Sequence, residues 1–182
     1  RTLARDLSEG EFEHFLAVAE AAGLDPLRRQ IAPLVLNSDD PARRELIPWT
    51  TIDGLRVIAA RAGDYRPMER APVLERDPAR IDPACNPLGL MRAEVRAFKL
   101  SGARWHPVAG EAWWDEYAPL RTSLVDSEGG RVSVIELAPS WRRMGRVMLA
   151  KCAEAQALRR GWPDLLSGLY AEDELHRLKL ES

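Results

Sequence analysis

The residues best suited to chemistry in this sequence are the cations of segment 140–162. This segment carries six basic side chains against the single carboxylate of Glu154, a local charge of +5. Only Lys99, Lys151 and Lys179 among the 26 cations of the chain are lysines. Arginine is the better bidentate partner for phosphate, although a genome rich in G and C would produce the same bias. The segment is therefore strongly basic, and its cations are Arg142, Arg143, Arg146, Lys151, Arg159 and Arg160.

The same segment is predicted to form the longest helix, about 141–160, capped by Ser140 and closed by Gly161-Trp162-Pro163. On a helical wheel its apolar side chains occupy one continuous arc. Lys151 and Arg159 fall inside this arc, where a charge must snorkel to water, pair with a carboxylate, or point into a groove that accepts an anion. The arc consists of Trp141, Met144, Val147, Met148, Cys152, Ala155 and Leu158. The opposite face, expected to be solvated, carries Arg142, Arg146 and Arg160.

A second basic segment, 83–110, has a net charge of +3. Within it the stretch 91–97 alternates apolar and charged residues, which is the pattern of a half-buried strand. Arg92 and Arg96 would share the exposed face of this strand with Glu94.

Acidic stretches flank both basic segments. Residues 1–25 and 111–139 each have a net charge of -4, and residues 163–182 have -3. The formal net charge of the whole chain, -2, therefore does not exclude a polyanionic ligand, because the two signs are separated along the sequence.

Length and composition favour one domain over residues 1–182, since 182 residues with 46% hydrophobic content can bury one core. We see neither an apolar run long enough for a membrane span nor a signal peptide, so we expect a cytoplasmic protein. Cys85 and Cys152 lie too far apart to suggest a disulfide framework or a zinc module. Phosphate-loop, dinucleotide-binding and hydrolase motifs are absent. We therefore expect neither ATP-driven chemistry nor catalysis, and no cofactor or metal.

The first half of the chain predicts two helices and a hairpin. Ser8 and Glu11 form a capping box for a helix that Gly23 ends. Two strands, 31–36 and 46–51, are joined by a polar connection, and a second helix begins at an Asp53 cap and ends at Gly63. Residues 64–89 contain five prolines and are expected to be irregular.

The second half predicts a meander of three strands, near 91–97, 104–114 and 131–137, before the long helix. A short acidic helix is expected at 171–180. Together these elements predict an α+β fold, with a small antiparallel meander sheet, an N-terminal hairpin packed with helices, and a long basic helix near the C-terminus.

The six tryptophans could stack on unpaired bases, but core packing is the simpler interpretation for most of them. They are Trp49, Trp105, Trp113, Trp114, Trp141 and Trp162.

Two other functions are compatible with these residues. Asp77, Asp82 and Glu94 could form the carboxylate cluster of a metal-dependent nuclease, although Arg96 stands where such sites usually place a lysine. Alternatively, the basic helix could bind an acidic protein, which would make the chain an interaction module independent of DNA.

Three stretches in order resemble the phage single-strand annealing proteins of the Redβ/RecT family, in particular the Bet-type recombination proteins. The first is Gly23-Leu24-Asp25-Pro26 followed by Arg28, Arg29 and Ile31. The second is Thr51-Ile52-Asp53-Gly54-Leu55 with its Gly63-x-Tyr65 ending. The third is Met148-Leu149-x-Lys151, followed by Ala155, Arg159, Trp162-Pro163-Asp164-Leu165 and Gly168-Leu169-Tyr170-x-x-Asp173-Glu174.

The resemblance implies a protein that binds single-stranded DNA, anneals it to a complementary strand without ATP, and assembles into rings or helical filaments. It also implies a companion 5'-3' exonuclease, a host single-strand-binding protein as partner, and the cytoplasm of a bacterial host if the chain is phage-encoded. The positions it matches to DNA-backbone contacts are Arg29, Arg146, Lys151 and Arg159, with Arg28 and Arg143 beside them.

Annealing requires strands that are held by their phosphates while the base edges stay free to pair. We therefore expect Lys151 and Arg159 to line the floor of a cationic groove, to which Arg29, Arg92 and Arg96 add charge. The acidic stretch 1–25 and the cluster 172–174 could face the basic surface of a neighbouring subunit and so drive head-to-tail assembly.

Overall fold

The computed structural model describes residues 6–127 and 130–171 and confirms the α+β prediction. Its helices are α1 (Glu9–Ala21), α2 (Ile52–Arg61), α3 (Trp114–Tyr117), α4 (Pro139–Gly161) and α5 (Pro163–Leu166). Its strands are β1 (Ile31–Leu36), β2 (Glu45–Thr50), β3 (Tyr65–Arg66), β4 (Val73–Arg76), β5 (Leu90–Ser101), β6 (Arg104–Trp113), β7 (Leu120–Ser127), β8 (Gly130–Leu137) and β9 (Tyr170–Ala171).

Local signals place the N-terminal elements as predicted. The Ser8 hydroxyl accepts a hydrogen bond from the Glu11 amide, and the Glu11 carboxylate accepts one from the Ser8 amide, so the capping box is complete. Gly23, with φ of 62°, follows α1 in the left-handed conformation that ends many helices. Strands β1 and β2 pair antiparallel with Ile31 opposite Thr50, which confirms the hairpin.

The caps of the two later helices differ from the prediction. The Thr51 hydroxyl accepts from the Gly54 amide and caps α2, whereas Asp53 lies inside the helix and bonds Arg56. Helix α4 begins at Pro139, before Ser140, without a side-chain cap. Proline suits the first helical position because its φ is already helical and its missing amide proton would have had no partner there.

The central sheet is built on β5, the longest strand, in the order β3-β5-β4 with β6 on β5 as well. Strands β3 and β4 lie in the segment that was expected to be irregular. The meander ends at β6, because the α3 turn redirects the chain and β7 pairs with β8 in a separate two-stranded hairpin. The strand predicted at 131–137 therefore forms, as β8, but its predicted place as the third strand of the meander is wrong. The predicted helix 171–180 lies almost entirely outside the described residues.

Helix α4 is the central element of the core. Its first half packs in one apolar cluster with Leu90, Val95 and Trp114, and its second half packs in another with α1, α2 and α5. Among the described residues, no helix combines the length and the apolar run that a membrane crossing requires.

Candidate nucleic-acid interface

Four cations lie within residues 142–151 of α4, and we call them the α4 basic surface: Arg142, Arg143, Arg146 and Lys151. The three arginines are exposed and Lys151 is half-buried. Arg142 and Arg143 precede the break in the helix at Met144, and Arg146 and Lys151 follow it. No hydrogen bond or ion pair joins these four side chains to any other residue that the structure describes. Their charges are therefore available to an external anion.

Small residues hold α4 against the central sheet. A Cβ atom at Gly110 of β6 would lie only 2.2 Å from the Ala153 carbonyl oxygen and 2.2 Å from the Ala157 amide nitrogen. Near the start of the helix, the Trp141 ring packs edge-to-face on Trp114 with ring centroids 5.4 Å apart. Because one side of α4 packs closely on the sheet and on Trp114, the opposite side, which carries the cations, faces solvent.

Three residues after Lys151, an ion pair joins α4 to α2. The buried Glu154 carboxylate accepts two hydrogen bonds from Arg56, at 2.7 and 2.6 Å. These bonds raise the pKa of Arg56 further above its usual range. Arg56 also pairs with Asp53 at 2.8 Å. Because this guanidinium is satisfied inside the protein, it marks the boundary of the available positive charge.

The turn that carries Arg28 and Arg29 is linked to α4 through α2. The Thr51 hydroxyl, which caps α2, donates to the Arg29 carbonyl oxygen at 2.8 Å, and α2 in turn binds α4 through Arg56. Both arginine side chains are exposed. Arg29 has a φ of 58°, while Arg28 lies 3.5 Å from Asp25 in an exposed ion pair. This turn is thus linked, through α2, to Glu154 of α4, which follows Lys151 by three residues.

Lys151 and Arg159 occupy different environments, although the sequence analysis predicted that both line the floor of one groove. The Arg159 guanidinium donates to the backbone carbonyls of Leu166 and Leu169, at 3.4 and 2.6 Å, and so anchors the chain that follows α5. The half-buried Lys151 ammonium makes no such bond to described residues. Of these two cations, Lys151 has the environment expected for a ligand contact, and the DNA-binding role of Arg159 stays a prediction.

Arg92 and Arg96 lie away from the α4 basic surface. They project from the face of the sheet opposite α4, because Ala93 and Val95, which alternate with them, are buried beneath the helix. Arg92 bonds Glu75, and it also bonds the Glu111 carboxylate at 2.9 Å. These bonds raise the pKa of Arg92 further above its usual range.

Arg96 pairs with Glu94 at 2.7 Å. The structure therefore separates Arg92 and Arg96 from Lys151 by the thickness of the sheet and the helix, and it neutralises both locally.

The carboxylates considered for a nuclease site have other contacts. Asp77 accepts the Ala79 amide and Asp82 accepts the Ala84 amide, so both stabilise turns. Glu94 is paired with Arg96. In the described part of the chain, no three His, Cys, Asp or Glu side chains are grouped closely enough to hold a metal ion.

The tryptophans divide between core and surface. Core packing was expected for most of the six; three of them, Trp114, Trp141 and Trp162, are buried, and Trp49 is half-buried. Trp105 and Trp113 are exposed on the sheet face opposite α4. Arginines already lie over both rings: Arg66 is 4.9 Å from the Trp105 centroid and Arg92 is 5.6 Å from that of Trp113.

The helical wheel of α4 assigned two exposed residues to the buried face. Met144 and Val147, assigned to the apolar arc, are 49% and 52% exposed and stand among the cations of the α4 basic surface. Arg142, which the sequence treated as an ordinary solvated residue, belongs to the same surface. The small residues Gly145 and Ala153 were the available signal, because glycine and alanine often mark the side of a helix that approaches its neighbour closely.

Comparison with known protein families identifies a match. The sequence model of the RecT family matches residues 1–182, the whole chain. No curated protein and no solved structure matches.

Proposed function

Since the chain belongs to the RecT family, whose members are single-strand annealing proteins of phage-type recombination, we propose that its α4 basic surface binds the DNA. The protein holds single-stranded DNA by its phosphates and anneals it to a complementary strand without ATP. Members of this family are annealing proteins rather than classical enzymes. Accordingly, we assign binding residues and no catalytic ones.

The observation that carries the proposal is the absence of carboxylate partners around the α4 basic surface, within the described residues. Other exposed arginines differ: Arg96 is paired with Glu94, and Arg80 is a single cation on its 3-10 turn, whereas the α4 basic surface has four cations within ten residues. Uncompensated cations release counterions from DNA when they bind phosphates, and this release is the main source of sequence-independent affinity.

The proposed binding path joins Arg143, Arg146 and Lys151 with the Arg28-Arg29 turn. Arg92 and Arg96 lie on the other face of the sheet, and we place them outside this path. Arg159 supports the path indirectly, because it anchors the chain that follows α5 to the end of α4. The chain acts as one binding and annealing domain in this proposal.

The test is a salt titration of binding to a labelled oligothymidine, measured by fluorescence anisotropy. Each phosphate contact on a single strand contributes roughly 0.7 to the slope of log K against log salt. The double variant Arg146→Ala/Lys151→Ala should therefore lower the slope by roughly 1.4. Arg80→Ala is the matched control, because Arg80 is an exposed arginine on a 3-10 turn. Equal slopes for wild type and a folded double variant would contradict the proposal.

The same proteins should be compared in annealing of complementary oligonucleotides without ATP and with chelator present. We expect annealing by the wild type, slower annealing by the double variant, and no shortening of the strands. Digestion that requires magnesium would instead support the nuclease interpretation. Binding of an acidic protein without any binding of DNA would support the interaction module.

We further propose that the protein assembles on DNA as a homo-oligomer and works with a 5'-3' exonuclease and a host single-strand-binding protein. The exposed side of α1 supports a role in assembly, because Glu9, Glu13 and Glu20 surround the exposed Leu16 there. Such an acidic face complements the basic face of a neighbour. Light scattering that shows only monomers, with and without DNA, would contradict the assembly; the cluster 172–174 lies outside the described residues.

A further inference from the structure

Two apolar side chains stand exposed inside the α4 basic surface. Met144 is 49% exposed and Val147 is 52% exposed, whereas Met148 and Leu149 immediately after them are buried. Met144 and Val147 are one turn apart. By helical spacing, Val147 lies one turn before Lys151, and Arg146 precedes it directly. An apolar side chain gains nothing from phosphate, so this mixture points to a ligand that has both anionic and apolar parts.

Met144 and Val147 are exposed because of the side on which α4 packs against the sheet. Gly145 faces the sheet, and a Cβ atom there would lie 3.0 Å from the Trp114 ring. With glycine turned inward, its neighbours are turned outward. The helix is also interrupted at Met144, where φ is -132° and ψ is 34°, so the backbone departs from the helical path at the residue that is presented. The backbone conformation at this position therefore contributes to the exposure of the Met144 side chain.

Charge identifies the ligand. Arg142, Arg143, Arg146 and Lys151 flank the two side chains in sequence and have no acidic partner among the described residues. A ligand that these cations recognise is therefore a polyanion. Single-stranded DNA is a polyanion that also offers apolar surface, in its bases and sugars. Methionine is flexible and polarisable, and it is one of the side chains that proteins insert between neighbouring bases.

We propose that Met144 and Val147 contact the bases of the bound strand, with Met144 inserted between two neighbouring bases while the flanking cations hold the phosphates. This inference rests on the proposed function and adds a base-contacting element to it. Insertion at a fixed position unstacks the strand locally, so that the separated bases can pair with an incoming strand.

The experiment uses the full chain with Met144→Ala and Val147→Ala. Val73→Ala is the matched control, because Val73 is 58% exposed on β4, on an edge strand of the central sheet. Each of the two α4 variants should weaken oligothymidine binding roughly five- to tenfold at every salt concentration, because part of an apolar side chain's burial is lost. The salt slope should stay at the wild-type value, because no phosphate contact is removed.

A second readout reports on stacking directly. An oligonucleotide that contains 2-aminopurine becomes more fluorescent when its neighbours unstack. We expect wild-type protein to raise this fluorescence, Met144→Ala to abolish the rise, and Met144→Leu to restore most of it. Circular dichroism melts show whether each variant is folded, and the exposed positions make folding of all of them the expected result.

Three outcomes separate the possibilities. If folded Met144→Ala and Val147→Ala match wild type in affinity and in fluorescence, while Arg146→Ala lowers the salt slope, the inference fails and the proposed function stands. If Arg146→Ala also leaves the slope unchanged, the proposed function fails as well. If Met144→Ala alters self-association without DNA but not DNA binding, the two side chains contact a second copy and the inference is overturned.

Discussion

Gly110→Ala should separate α4 from the central sheet. The added Cβ atom would lie 2.2 Å from the Ala153 carbonyl oxygen, 2.2 Å from the Ala157 amide nitrogen and 2.8 Å from the Ala157 Cα atom. All three are backbone atoms, so no side-chain rotation relieves the contact. Ordinary contact begins near 3.4 Å, and the helix and strand must therefore move apart by about 1 Å.

A gap of that size is costly because α4 lies over the apolar cluster that includes Val95 and Leu149. A radial gap of 0.5–1 Å forfeits roughly a quarter to a half of each van der Waals contact. Overpacking a core lowers the free energy of unfolding by about 1–3 kcal/mol. Because the contact here is with rigid backbone, we expect Gly110→Ala to lower it by about 3 kcal/mol. For a chain of this length such a loss lowers Tm by roughly 6–12 °C.

The assay is urea and thermal unfolding followed by circular dichroism, with Gly10→Ala as the matched control. Gly10 is in the first turn of α1 with nothing within 4 Å of the added Cβ atom. The control should raise the free energy of unfolding slightly, by at most about 1 kcal/mol. If Gly110→Ala unfolds within about 0.5 kcal/mol of wild type, the close contact between β6 and α4 is not rigid and the reasoning is refuted.

Three further predictions concern single interactions. Arg56→Met should lower the free energy of unfolding by about 3 kcal/mol, because it leaves the Glu154 carboxylate buried without its partner. The double variant with Glu154→Leu should recover part of this loss in a urea series, and no recovery would show that the ion pair is not the cause. The pKa of Glu11 is lowered from 4.5 to about 2. The hydrogen bond from Arg44 contributes most to this shift, and the hydrogen bond from the Ser8 amide contributes the next largest part. The stability that the Glu11 carboxylate adds is therefore present above pH 4.5 and is lost as pH falls to about 2. The difference in unfolding free energy between wild type and Glu11→Gln should shrink over that window, and a constant difference would contradict this. Arg159→Ala should cost about 2 kcal/mol in a thermal or urea unfolding series, because two backbone carbonyls lose a charged donor. Wild-type stability with a reduced salt slope would make Arg159 a DNA contact instead.

Local sequence signals were sufficient for the elements whose physics is local. The Ser8 and Glu11 capping box satisfies amide groups within four residues, so its outcome does not depend on the rest of the fold. The alternation in 91–97 likewise determined which side chains of β5 are buried. It could not determine that Arg92 and Arg96 would point away from α4, because that depends on which face of the sheet the helix covers.

The candidate site was predictable in charge but not in shape. The excess of cations in 140–162 marks a phosphate-binding segment whatever the packing. Hydropathy placed Met144 in the core, because it ranks side chains by their own preference and gives glycine and alanine little weight. In the folded protein the contact of Gly110 with Ala153 and Ala157 decides which side of α4 approaches the sheet.

The sequence alone thus determined the class of fold, the family resemblance and the segment that carries the positive charge, because these depend on residue types and short-range order. Only the tertiary structure decided which cations are available. Arg159 and Lys151 look alike on a helical wheel, yet one is bonded to the backbone carbonyls of Leu166 and Leu169 and the other is not. Such a difference arises from contacts between segments, and these become defined only when the core closes around α4.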